Sequence, residues 1–364
     1  MQVTFWGTRG SIAKPGPGTV RYGGNTSCVE VGSSAGTLVV VDCGTGAHEL
    51  GLDLLRRAGG APIRGHLFIG HAHWDHIQGL PFFSPLFQPG NEWNIYGPSG
   101  AGSSLSEILA GQMEYRNFQV EIDQLESGVR YHDLVEGTLD LDDLTDSTRY
   151  LNHPALTLAY RFEADGASIV YASDHEPHEP GLAAGGDVGQ NRHDDAHAAF
   201  AAGADLLVHD AQYRAAEYAD RAGWGHSTFE YAVEVAHRAD VGRLALFHHD
   251  PSRTDDRMDE LVTAARAHAA SIGYRGEVFA AKEGMRVELD PRTSPRRSTG
   301  PQVSAVLEPA LAPELLSVVI VARTAEIASV LTQAAGPAGF EVTVEADLRA
   351  AFELVADQRP GAVL

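Results

Sequence analysis

The chain has 364 residues, 43% of them apolar, and a formal net charge of −22. That length allows a sizeable core and about two domains. The charge speaks against a surface built to hold long stretches of nucleic-acid backbone, and no apolar run reaches the roughly 18–20 residues of a membrane helix. A small anionic substrate is still compatible, because a bound divalent ion can invert the potential inside one cleft. The opening "MQVTFWGTRGS" carries neither a basic nor an apolar leader segment, so a cytoplasmic location is expected. The two cysteines, Cys28 and Cys43, sit in apolar settings ("TSCVEV", "VVVDCGTG") and are expected to be core thiols rather than a disulfide.

Taken in chain order, "TLVVVDCG" is an apolar, β-branched run suited to a buried strand. "GHLFIGHAHWDHIQGL" opens with another, Leu67–Ile69, and then delivers His71, His73, Asp75 and His76 within six positions. "RYLNHPALTL" places His153 just ahead of a strand-like run. "SIVYASDHE" ends an apolar run in Asp174, "DLLVHDAQY" in His209 and Asp210, and "LALFHHDPS" in His248, His249 and Asp250. Between the last two, "HSTFEYAVEVAHRAD" has helical periodicity in Phe229, Ala232, Val233 and Ala236. Ser227 and Glu230 are spaced as a capping box at its start. "MDELVTAARAHAASIG" predicts a second helix stopped by Gly273. Residues 1–290 thus alternate strands and helices without a break. Residues 291–314, rich in Pro, Ser and Arg, predict a linker. Residues 315–364 read strand, helix, strand, helix, strand, a parallel α/β pattern.

Several buried strands therefore end in imidazole or carboxylate. In open α/β sheets, ligands gather beyond the carboxyl ends of strands, so the repeated pattern predicts one shared site at one sheet edge. Imidazole nitrogen and carboxylate oxygen are ligands for Zn²⁺, and for Mn or Fe in similar sites. His71 and His73, two apart in an extended segment, point to the same side. Six or seven such donors are too many for one four-coordinate ion and suit two ions sharing a carboxylate. His175, His178, His193, His197 and His249 lack a dense motif and are expected at the surface or behind the site. Arg9 and Asn25, in Gly-rich turns, read equally as phosphate contacts or as turn residues. Trp74 and Trp224 are expected to be core packing rather than a wall for a base or sugar.

The segment "HAHWDH" matches the His-x-His-x-Asp-His motif, and with it residues 1–290 resemble the metallo-β-lactamase-fold hydrolases. The resemblance implies a four-layer αββα sandwich of mixed α/β class. It implies His71, His73 and His153 at a first metal, Asp75, His76 and His248 at a second, and Asp174 between them. "GTRGS", "DAQY" and "GWGHST" resemble the phosphodiesterase branch, which includes tRNase Z, the phosphoribosyl cyclic phosphodiesterases and the class III cyclic-nucleotide phosphodiesterases. That similarity implies His226 as proton donor to the leaving group, Asp210 as its partner, and Asp75 orienting a hydroxide held between two divalent ions. "SDHEP" departs from the commoner "SDT", and no long insertion resembles the tRNA-gripping arm of tRNase Z.

The expected activity is hydrolysis of a small anionic phosphodiester, a cyclic nucleotide or cyclic phosphate sugar; a lactone or thioester hydrolase on the same fold is the alternative. Residues 315–364 resemble the first part of a response-regulator receiver, a partial doubly wound segment. Ala322 and Arg323 stand where receivers carry acids. A signalling partner through this segment, and a homodimer, are the further partners that this reading allows.

Overall fold

The computed structural model describes residues 1–100 and 102–290, together with the backbone of three strands beyond them. The first sheet runs, in spatial order, β14 (Arg286–Glu288), β1 (Gln2–Gly7), β2 (Cys28–Gly32), β3 (Leu38–Val41), β4 (Arg64–Phe68), β5 (Glu92–Pro98) and β6 (Gly128–Leu134). The second runs β13 (Glu277–Ala280), β12 (Arg243–Phe247), β11 (Leu206–Asp210), β10 (Ala167–Ala172), β9 (Leu158–Ala164), β8 (Leu144–Tyr150) and β7 (Gly137–Leu141). Strands β3 to β6 are mutually parallel, as are β10 to β13, while the remaining pairs are antiparallel.

The apolar runs are continuous because most central strands are covered on both faces. Val39, Val41 and Phe68 point inward and meet Tyr160, Phe162, Ile169, Val208 and Phe247 of the second sheet. Val40 and Leu67 point outward, beneath α1 (Ala47–Ala58) and α3 (Leu105–Gln112). Val170, Leu207, Leu244 and Leu246 lie beneath α4 (Arg192–Phe200), α6 (Phe229–Arg238) and α7 (Asp255–Ile272). This is the expected four-layer αββα sandwich, and Cys28 and Cys43 are free thiols in its core.

Helix α7 ends at Gly273, whose φ of 79° is left-handed, as expected. Helix α6 corrects the capping expectation: Thr228, not Ser227, is its N-cap and accepts from the Tyr231 N–H at 3.2 Å. Ser227 instead donates to the carbonyl of His175, and Glu230 accepts from the N–H of Ala215. No helix among the described residues is long and apolar enough to cross a membrane.

The chain divides into two units, Met1–Leu307 and Glu308–Leu364. In the second, β15 (Leu316–Val321) lies between β16 (Phe340–Glu345) and β17 (Ala362–Val363), all parallel. The expected linker, the helices between these strands and Ala322 and Arg323 lie outside the described residues.

One carboxyl interrupts the inner core. Asp146 on β8 is fully buried, two residues from Leu144 of the core and paired in register with Phe162. Burial raises its pKa well above the ordinary value, and the backbone N–H groups of Arg161 and Ser147 only partly offset this. The fold therefore prefers the protonated acid. Stability is greatest below the unfolded-chain value of about 3.9 and declines as the pH climbs toward the raised folded value. Asp146→Asn is expected to be more stable than the parent at pH 7, by about 1–3 kcal/mol, and level with it near pH 4. Denaturant unfolding at the two pH values checks this.

Candidate metal centre

Strands β1, β3 and β4 of the first sheet, and β10, β11 and β12 of the second, all deliver a polar residue at or shortly beyond their carboxyl ends: Ser11, Asp42, His71, Asp174, Asp210 and His248. Four of these, Ser11, Asp42, Asp174 and His248, have left-handed backbones, with φ of 63°, 60°, 61° and 57°. Such residues cost on the order of 1–3 kcal/mol each and cluster where geometry is imposed by function. The conformation turns each chain sharply at the strand end.

The sequence-predicted donors converge. His71, His73 and His153 offer nitrogens that all lie within 4.8 Å of one another, and Asp75, His76, Asp174 and His248 do the same. Asp174 faces both groups. Its Oδ1 lies 3.2 Å from Nε2 of His76 and 3.2 Å from Nε2 of His248. Its Oδ2 lies 3.7 Å from Nε2 of His71 and 3.9 Å from Nε2 of His153. Asp75 completes the second group, its Oδ2 3.0 Å from His248 and 3.3 Å from His76. The Ser11 N–H donates to the same oxygen at 2.7 Å.

The donor set fits divalent metal. His71 is 1% exposed, and neither of its ring nitrogens has a hydrogen-bond partner. Such an imidazole is costly unless a ligand satisfies it. Burial and the neighbouring His76 hold it neutral, well below the ordinary imidazole range. His153 bonds through Nδ1 to the Gly225 carbonyl at 3.0 Å, which leaves Nε2 as a lone pair facing His73 and Asp174. Around His76 burial opposes charge, but Asp174, Asp75 and Asp42 outweigh it and raise the pKa well above normal. Asp75 and Asp174 are depressed far below theirs, because the imidazoles facing them outweigh burial.

His226 and Asp210 also meet here. Nδ1 of His226 lies 2.8 Å from Oδ2 of Asp210, whose Oδ1 accepts from the N–H groups of Gln212 and Ser227. Burial lowers the His226 pKa, but Asp210 more than compensates and lifts it to about 9. The ring stacks 4.9 Å from that of His248. Gly225, just before it, has φ of +86°, and a Cβ there would lie 2.1 Å from Nδ1 of His153. Only glycine fits.

Contacts resolve the residues whose reading was open, and the two tryptophans depart from expectation. The Arg9 guanidinium is fully buried and donates to the carbonyls of Gly23, Asp250 and Arg253, so it cannot reach a substrate phosphate. Asn25 donates to Glu283 and accepts from Thr45, a turn role. Trp74 and Trp224 are 77% and 60% exposed rather than core. His175, His197 and His249 are buried; His178 and His193 are exposed. His209, which ends the same strand as Asp210, turns away from the donors toward His197, 2.9 Å between their Nε2 atoms.

Two residues escaped the sequence reading. Asp42 accepts from Nδ1 of His76 at 2.7 Å, from the Gly70 N–H at 2.7 Å and from the Tyr171 hydroxyl at 2.6 Å, fixing the His76 tautomer with Nε2 toward Asp174. Its signal was the one used elsewhere, an apolar run ending in a carboxylate. Glu176 accepts from the N–H groups of Gly223 and Gly225, at 2.7 and 2.8 Å, and from the Tyr218 hydroxyl. It ties the segment after Asp174 to the segment before His226. No spacing rule announces such a contact. Asp42→Ala is expected to weaken metal binding by about 10- to 100-fold while the protein stays folded; chelator competition followed by metal analysis measures the loss.

Residues 37–249, more than half of the chain, match the model of the beta-lactamase superfamily domain. A ribonuclease Z of Natronomonas pharaonis is 28% identical over 79% of this chain and 98% of its own length. A ribonuclease Z of Lactococcus lactis is 30% identical over 60% of this chain and 81% of its own. Among solved structures, the short form of human tRNase Z superposes with a TM-score of 0.52 at 21% identity, covering 79% of this chain and 99% of that one. With the αββα fold and the paired donor groups, these likenesses make the chain a member of the beta-lactamase superfamily and a metal-dependent hydrolase.

Proposed function

We propose that the chain hydrolyses a small phosphodiester, a cyclic nucleotide or a cyclic phosphate sugar, using two divalent ions, with zinc the first candidate. The observation that carries this reading is the Asp174 carboxylate, with one oxygen toward His76 and His248 and the other toward His71 and His153. When bound there, divalent ions supply Lewis acidity and a water of lowered pKa.

The chain's own groups do the rest. Asp75, held by the Ser11 N–H and flanked by His76 and His248, is placed to accept a proton from the attacking water and orient it. His226, with Nδ1 bonded to Asp210, has its pKa raised by that carboxylate, which favours the protonated ring that a proton donor needs. An alkoxide leaving group needs that proton, and a positioned general acid typically contributes ~10²–10⁴-fold. Lactone opening on such a scaffold has less use for it, so the His226–Asp210 pair favours the phosphodiester.

The relatives named ribonuclease Z favour a second reading, in which the phosphodiester belongs to an RNA. The net charge of −22 weighs toward the smaller substrate. Turnover of cyclic mononucleotides, cyclic phosphate sugars, a precursor tRNA and a lactone, each with zinc and with manganese, separates these possibilities.

His226→Ala is expected to lower kcat about 10²- to 10⁴-fold with metal content unchanged, and a fully active variant would remove the proton-donor role. Asp174→Ala is expected to lose metal as well as activity, which elemental analysis of the purified variant reads directly.

A further inference from the structure

Two exposed indoles are rooted in the chain beside the metal donors. His73 is the most exposed member of the donor set, and its Nδ1 lies 3.2 Å from Nε2 of His153, whose side chain is 1% exposed. His73 therefore marks the side of the donor set nearest solvent. Trp74 follows His73 directly in the chain and is 77% exposed. Trp224 precedes Gly225, whose carbonyl is 3.0 Å from Nδ1 of His153, and is 60% exposed. Each indole is thus rooted one residue from a group that belongs to the donor set or bonds to it.

The backbone beneath each indole is held by the site. Trp74 is the first residue of the short helix Trp74–Ile77 and lies between His73 and Asp75, both fixed by the site. Trp224 is pinned on both sides. The N–H groups of Gly223 and Gly225 are held by the two oxygens of Glu176, a residue that is 7% exposed, and the Trp224 N–H donates to the Arg221 carbonyl at 3.1 Å. A rigid backbone that keeps a large apolar ring in water has given up its burial energy. Single exposed apolar residues need no account, but two indoles rooted beside the donor set, on backbone tied to site groups, do.

We infer that Trp74 and Trp224 are specificity-determining residues that stack on a nucleobase, so the substrate's phosphodiester carries a nucleoside. This rests on the phosphodiesterase reading. Every base presents a π-face, and stacking on an aromatic side chain is worth roughly 1–3 kcal/mol per base. Arg9, the arginine of the Gly-rich turn, is buried and bonded to carbonyls, so it does not serve as the phosphate contact. The phosphate would be held by the ions and the remainder by the rings. A base-free cyclic phosphate sugar would leave both indoles unused.

The test compares two esters with the same leaving group, thymidine 5′-(p-nitrophenyl phosphate) and methyl p-nitrophenyl phosphate, in the metal-loaded protein. The parent is expected to prefer the nucleoside ester in kcat/KM. Trp74→Ala and Trp224→Ala should each lower that preference about 5- to 100-fold, chiefly through KM, and Trp224→Phe should restore most of it. Preference ratios within twofold of the parent in both alanine variants would overturn the inference, as would a parent without any preference. A parent that hydrolyses neither ester would instead sink the phosphodiesterase reading itself, and loss of turnover on the methyl ester alone would mark the indoles as supports rather than as a clamp.

Discussion

A fully buried carboxylate among five imidazoles is the constraint on which this molecule turns. Asp174 has almost no contact with water, yet His71, His76, His153, His226 and His248 all approach it within 4 Å. An isolated buried carboxylate would take up a proton, and isolated buried imidazoles would lose theirs. Together they form a volume in which every charge depends on its neighbours. Removing one partner leaves another uncompensated, the costliest kind of loss in a protein interior. Bound divalent metal would satisfy the set, because it would take up the lone pairs that no protein donor reaches.

Holding that volume together requires support from both sheets. Asp42, from the first sheet, is bonded to Tyr171 of the second as well as to His76, so one carboxylate sets a ring orientation and joins the layers. Asn152 donates to the Glu176 carbonyl, and the Glu176 N–H donates to that of Asn152, which clips the His153 loop to the Asp174 loop. Glu176 then reaches on to the turn before His226. The three segments furnishing Asp174, His153 and His226 therefore behave as one piece, and strain at the left-handed strand ends is balanced by contacts several residues away.

Much of this was legible in the sequence because two signals coincide. Apolar runs fix where the strands lie, and polar residues directly behind them mark the edge at which the strands end; His71, Asp174, Asp210 and His248 all obey that rule. Asp42 obeys it too, but it lies outside the dense motif and acts on a histidine rather than on the ions. Glu176 was invisible because its partners are backbone N–H groups, which every residue but proline possesses. Arg9 stayed undecided, since a Gly-rich turn with arginine suits an anion as well as it suits three carbonyls. Trp74 and Trp224 misled because hydrophobicity predicts burial only on average. The cap of α6 slipped by one residue because Ser227 and Thr228 are chemically equivalent caps, and the nearby His175 carbonyl claims the serine.

The pairing of β1 with β14 has a consequence for how the protein is made. Val3 sits opposite Val287, on the far side of β1 from β2. While the chain is still on the ribosome, one edge of that first strand stays without its neighbour until the last strand of the sandwich has been synthesised. Contacts this distant in sequence are slow to form, and an open strand edge invites pairing with other chains. The imidazoles of the early motif emerge long before His248 arrives to complete them. A complete donor set therefore forms only when the sandwich closes, late in synthesis.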